Sequence, residues 1–233
     1  MAFNIFLIVS SWLVVFLIKR KSIFTKWLLP LKKRGGEFLK GFLFTAILCS
    51  LTLVSLSFIG HVKWSIASDI SFKGILKSIF YDINSVVFEE LIFRGVMLLL
   101  LIHFTNRRAG ILISAIAFGI YHWFTFGVWA NFIPMAVVFL TTGLMGYALA
   151  MAYSKTQSII LPIALHLGWN VINNTVFSKG PNAIQLLVPS EVPELSGLYG
   201  ITSLIFYLII PLIILLFVNS KFIEKDKSSG LLM

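Results

Sequence analysis

The chain has a single cysteine, Cys49, among its 233 residues. No intrachain disulfide can form and no cysteine-based metal cluster can be built, and inside an apolar run this cysteine is expected to serve packing. Acidic residues are scarce too, nine against nineteen Lys and Arg, and charged residues of every kind make up only 12%. A soluble domain of this length needs a more polar surface, and it could not bury what 58% hydrophobic residues and 22 phenylalanines supply. There is no His-Glu-x-x-His, so the usual soluble zinc-protease signature is missing. No internal repeat places motifs at matching points of two halves, which counts against a secondary transporter. The net charge of +10 is no nucleic-acid signal, because the basic residues lie between apolar runs, where they set orientation and meet anionic headgroups.

What the chain has instead is a series of apolar runs, several of them reaching the roughly 18 residues that mark a membrane span. We expect an all-α, polytopic integral membrane bundle with about seven transmembrane helices. Residues 2–18 are followed, not preceded, by Lys19-Arg20-Lys21 and lack a small-residue cleavage site, so they read as a retained first span. Residues 19–37 are strongly basic, which puts that loop in the cytoplasm and the N-terminus outside. Within it, residues 27–31 are too short to cross and are expected at the interface. Further spans are expected at 38–60, 78–104, 109–130, 132–153, 158–177 and 197–218, the last kinked at Pro211. Residues 61–77 read as an outer loop with an interfacial helix, and residues 178–195, with Gly180-Pro181, Pro189 and Pro193, as another outer loop. Thirteen of the nineteen Lys and Arg then face the cytoplasm and four lie outside. Residues 1–77 form N-terminal spans, 78–218 the functional core and 219–233 a cytoplasmic tail. Ala115-x-x-x-Gly119 and Gly146-x-x-x-Ala150 supply small residues for close helix contact.

Against this background Glu89, Glu90 and Arg94 are conspicuous, because they interrupt the apolar run Phe88-Glu89-Glu90-Leu91-Ile92-Phe93-Arg94-Gly95. A charge at the centre of a membrane helix costs roughly 2.5 to 3.5 kcal/mol on insertion scales, so three together need partners or a function. Glu90 and Arg94 are four apart, acid first, and face each other on a helix. Glu89 points about 100° away from them and has no local partner. Two more runs carry polar groups, Phe118-x-x-x-His122 and His166-x-x-x-Asn170, with Asn173 continuing the latter face. Counting 1.5 Å per residue from the cytoplasmic ends, Glu89 lies roughly 20 Å deep, His122 and Asn170 roughly 18 Å, and His166 roughly 12 Å. Taken singly, each histidine is more often an interhelical hydrogen bond, Asn170 helix glue, and Glu90 with Arg94 a structural ion pair. An ion pair does not account for Glu89, which favours function there and leaves Glu90 and Arg94 evenly divided between structure and function. The layer shared with Glu89 reverses the structural reading of His122 and His166. Asp82, seven residues earlier on a similar face, is expected at the outer interface, with a place in a water-filled entrance as the alternative.

Attack of water on a carbonyl uses groups of this kind. A carboxylate helped by a histidine deprotonates the water, a role that suits Glu89 with His122. A second histidine and an amide stabilise the oxyanion, a role that suits His166 with Asn170. Two histidines and a glutamate also suffice for a catalytic zinc, and the residues leave both options open.

In this order, and each in an expected span, Glu89-Glu90-Leu91-Ile92-Phe93-Arg94-Gly95, Phe118-x-x-x-His122 and His166-x-x-x-Asn170 resemble the three motifs of the CPBP (CAAX protease and bacteriocin-processing, or Abi) family of intramembrane endopeptidases. The resemblance covers residues 78–177. It implies an all-helical membrane peptidase in which Glu89 activates water, His122 assists, His166 and Asn170 stabilise the oxyanion, and Glu90 with Arg94 supports the site. The family has been described both as metalloproteases and as metal-independent glutamate proteases. The latter is favoured, with no cofactor required and Zn2+ as the alternative. Nothing in the sequence recognises a prenyl group. Expected partners are membrane lipids and a peptide or protein substrate, without nucleic acid, at the plasma membrane with the C-terminus cytoplasmic. Readings from other classes are a non-catalytic membrane adaptor or bacteriocin self-immunity protein on the same scaffold, and a proton-coupled transporter.

Overall fold

A computed structural model of the chain describes residues 2–20, 22–177, 186–189 and 197–226. Most of the outer loop expected at 178–195, and residues 227–233 of the tail, lie outside the described residues. The elements in order are α1 (Ala2–Lys19), α2 (Ile23–Leu28), α3 (Leu31–Ile59), β1 (Trp64–Ile66) and α4 (Phe72–Glu90). α4 runs through a π-helical segment, Leu91–Met97, into α5 (Leu98–Phe104). Then come α6 (Arg107–Thr125), α7 (Phe132–Thr156) and α8 (Ile160–Asn170), which continues as a second π segment, Val171–Val176. β2 (Leu187–Pro189) and α9 (Gly197–Asn219) complete the described chain.

The helical expectation holds with one small exception. β1 and β2 form an antiparallel ribbon in which Trp64 pairs with Pro189 and Ile66 with Leu187. Residues 64–66 therefore do not join the interfacial helix expected at 61–77, because a partner strand more than a hundred residues away satisfies their backbone. The helix starts only at Phe72, capped by Ser71, whose Oγ accepts from the Gly74 amide at 3.1 Å.

Among the described residues three helices, α3, α7 and α9, are long and apolar enough to cross a membrane. That measure confirms three of the seven expected spans and does not confirm the others. The apolar part of α1, Asn4–Leu17, is shorter. α4 and α8 carry the motif side chains and give way to π segments, and α6 stops at Thr125 rather than near residue 130. Its stop has a local cause: Gly127 takes the left-handed conformation (φ +64°), which ends a helix at little cost for glycine alone. α2 overlaps the segment 27–31 expected at the interface. Its inner side anchors it to the bundle, with Ile23 and Trp27 buried and Trp27 Nε1 donating to the Tyr153 hydroxyl at 3.0 Å, while Leu28, Leu29 and Leu31 stay exposed.

The basic segments gather at one end of the bundle. Arg34 Nη1 binds Glu37 at 2.9 Å and the Thr156 carbonyl at 3.1 Å, and Arg34 Nη2 donates to the Lys26 carbonyl at 2.8 Å. Asp226 lies 3.4 Å from the same guanidinium, and Lys155 Nζ donates to the Val218 carbonyl at 2.8 Å.

Small residues set the helix approaches, as their spacing predicts. A Cβ on Gly119 would stand 2.9 Å from the Phe139 ring of α7, and one on Gly146 would stand 3.0 Å from Phe118 of α6. Gly168 of α8 is the tightest of these, pressed against the Phe42 carbonyl oxygen and Thr45 Oγ1 of α3. Backbone cannot move aside as a side-chain tip can. Gly168→Ala is thus expected to cost about 1 to 3 kcal/mol by overpacking, read as a lowered melting temperature in detergent. An unchanged melting temperature would show that α3 and α8 are not in this contact.

Candidate active site

The end of α4 turns its two glutamates in different directions. Glu90 points into the bundle, fully buried, where Oε1 accepts from Arg94 Nη1 at 3.0 Å and meets His166 Nδ1 at 2.9 Å. Arg94, also fully buried, sends Nη2 to the Gly146 carbonyl at 3.1 Å and lays its guanidinium 4.3 Å from the centre of the Phe118 ring. A carboxylate, a backbone carbonyl and an aromatic face together make the buried cation tolerable.

Phe118 also explains the Phe-x-x-x-His spacing. Its carbonyl oxygen lies 2.8 Å from His122 Nδ1, one helical turn on. A carbonyl only accepts, so Nδ1 carries the proton and Nε2 of a neutral ring keeps its lone pair. One residue thus fixes the tautomer of His122 and covers Arg94.

Glu89 points the other way, into a cavity of about 480 Å³. Its Oε1 accepts from Ser85 Oγ at 3.3 Å, whereas Oε2 is buried with no hydrogen-bond partner. That oxygen stands 3.9 Å from His122 Nε2 and 3.9 Å from His166 Nε2. Glu89, His122, His166 and Asn170 all line the cavity, so side chains from three helices meet there as their common depth predicts. Glu90 and Arg94 lie behind it, reaching it through His166. The cavity runs from the buried imidazoles to exposed Tyr81 and Thr125. A larger apolar cavity, about 790 Å³ between α7 and α9, adjoins it at Phe126 but holds no acid or histidine, so size alone does not mark the site.

Asp82 corrects the sequence reading. Rather than sitting at the outer interface it is fully buried, two turns from Glu89 on the face that lines the cavity. Asn174 Nδ2 donates to its Oδ1 at 2.7 Å and Thr175 Oγ1 to its Oδ2 at 3.3 Å. Both donors come from the second π segment, which no sequence period announces. Both π segments begin immediately after motif residues, at Leu91 and at Val171, where such segments are often found in functional sites. Ser85 was the findable omission, since it stands one turn before Glu89. Among the described residues no three His, Cys, Asp or Glu side chains are grouped so as to hold a metal ion. The 3.9 Å separations exceed the roughly 3.4 Å expected between donors about 2.1 Å from a tetrahedral zinc, so as placed these groups do not fit one.

These features define a class: a helical membrane protein with a carboxylate and imidazole site enclosed between its helices. Residues 71–172, which include all three motifs, match the family described as Type II CAAX prenyl endopeptidase Rce1-like. The match is to the CPBP family, a family of proteases, and covers a little under half of the chain. Neither a curated protein nor a solved structure matches the chain.

Proposed function

We propose that the protein is an intramembrane endopeptidase that hydrolyses peptide bonds of membrane-associated substrates with a water activated by Glu89. The observation that carries this reading is Glu89 Oε2, buried without a hydrogen-bond partner and 3.9 Å from two imidazole nitrogens in a polar cavity. That separation is beyond a hydrogen bond and is one that a bound oxygen spans. A water there gives one hydrogen bond to His122 Nε2 and loses its other proton to Glu89 as its oxygen attacks the substrate carbonyl carbon. The electron pair of the carbonyl moves to oxygen, and that oxyanion accepts from the Asn170 amide and from a protonated His166 Nε2. The carbon–nitrogen bond then breaks, and Glu89 returns its proton to the leaving amine. Glu90 and Arg94 are positioning residues: they hold His166 by Nδ1 and touch no reacting atom.

The family match supports proteolysis, and its description names prenylated CAAX substrates. The chain has no prenyl-recognising motif of its own, so the proposal is not restricted to them. The test is cleavage of fluorogenic, membrane-anchored peptides by the purified protein in proteoliposomes, with products identified by mass spectrometry. Cleavage is expected, and it is expected to stay within about twofold after treatment with 1,10-phenanthroline. Failure to cut any member of a broad peptide library would overturn the endopeptidase reading, whereas a chelator-induced loss restored by Zn2+ would overturn the metal-free mechanism.

A further inference from the structure

Four carboxylates are buried among the described residues: Glu37, Asp82, Glu89 and Glu90. Glu37 pairs with Arg34, Glu90 with Arg94 and His166, and Glu89 faces two histidines. Asp82 alone has no Lys, Arg or His of the described chain within ion-pair distance. A buried charge without a counter-charge is costly, and such residues within membrane segments mark binding positions more often than packing positions.

The hydrogen bonds around Asp82 run in one direction. Asn174 spends its Nδ2 on Asp82 Oδ1, so its own Oδ1 is free to accept, and it does so from Asn173 Nδ2 at 2.9 Å. Thr175 spends its hydroxyl proton on Asp82 Oδ2, so at the 2.7 Å contact with Ser78 the proton is Ser78's. Both oxygens of Asp82 are thus engaged by these two side chains. Asn173 is left with its carbonyl oxygen as a further acceptor, and Asp82, Asn173 and Asn174 all line the cavity that holds Glu89. Among the described residues no Lys or Arg lines this cavity.

Resting on the endopeptidase reading of the cavity, we propose that Asp82, Asn173 and Asn174 form a subsite for a basic side chain of the substrate. Seven residues of α-helix separate Asp82 from Glu89, about 10 Å along the axis. An extended peptide advances about 3.3 Å per residue, so the basic residue sits about three positions from the cleaved bond. Exposed Tyr81, which also lines the cavity, offers an aromatic face to the same cation.

The test uses peptides identical except for lysine or the uncharged norleucine, stepped through four positions on each side of the cleaved bond. Cleavage is followed with the wild-type protein, and binding is measured separately with the Glu89→Gln protein in detergent. Lysine at one position about three residues from the bond is expected to raise kcat/KM roughly tenfold, mostly through KM, and to tighten binding by a similar factor. Asp82→Asn should lose the lysine preference, cutting the lysine and norleucine peptides at the same rate as each other. Should Asp82→Asn fold poorly, Asn173→Ala, which leaves the carboxylate and its two donors in place, is expected to reduce the preference several-fold. A lysine preference at no position, or one that survives in Asp82→Asn, overturns the subsite and leaves Asp82 as a lock between α4 and the second π segment. Lysine-selective binding without cleavage keeps the subsite and removes the peptidase reading; cleavage without selectivity does the reverse.

Discussion

Glu89→Gln lowers peptide hydrolysis by about three orders of magnitude while the protein stays folded, the loss expected when a general base is removed. Glutamine has the same reach and can still accept from Ser85 at the position of Oε1. What it cannot do is take a proton from water. Little stability should be lost with the charge, because Oε2 has no hydrogen-bond partner and both imidazoles are too distant for a direct bond. The fold change is therefore expected within about 1 kcal/mol, read from thermal unfolding beside the cleavage assay. Undiminished cleavage by a folded Glu89→Gln protein would remove Glu89 from the chemistry. The same variant discriminates between the classes of function: an adaptor or immunity protein would keep its biological activity without cleavage, and a proton-coupled carrier would show pH-driven uptake that this substitution alters.

Much of this site was legible because membrane residence makes polar residues expensive, so each one in an apolar run carries information. Glu89, His122, His166 and Asn170 announced themselves that way, and simple counting of helical rise placed them near a common depth, where one cavity now holds all four. The Glu90–Arg94 pair was equally plain, being the favoured four-residue spacing. The link from Glu90 to His166 was not, since it joins residues 76 apart and no local period encodes it. Asp82 was misplaced for a related reason. Its distance from Glu89 put it on the correct face, but its burial depends on donors that a π segment delivers from a distant part of the chain. The span count is confirmed only in part, because hydropathy reads composition and not interruptions. The turn at Gly127 and the two π segments end or distort helices that look continuous as apolar strings.

Arg94→Met is the substitution expected to cost the most stability, about 3 to 5 kcal/mol, because it leaves the fully buried Glu90 carboxylate without its cation. The Gly146 carbonyl loses a donor and the Phe118 ring its cation in the same step. Combining it with Glu90→Gln removes both charges and keeps both shapes. A buried ion pair gains little net energy over an apolar or neutral replacement, so the double variant should recover most of the lost stability, with a coupling of about 2 kcal/mol in a double-mutant cycle. Activity should not recover with it. His166 Nδ1 would then meet a neutral amide oxygen in place of a carboxylate, and its Nε2 would be a poorer donor to the oxyanion. A fall of about 10- to 100-fold in kcat with little change in KM is expected, since the affected interaction strengthens only as the oxyanion forms. Additive stability losses would show that the two charges do not depend on each other. Full activity in the stable double variant would reduce Glu90 and Arg94 to a helix lock, and the oxyanion role of His166 would then rest on its position alone.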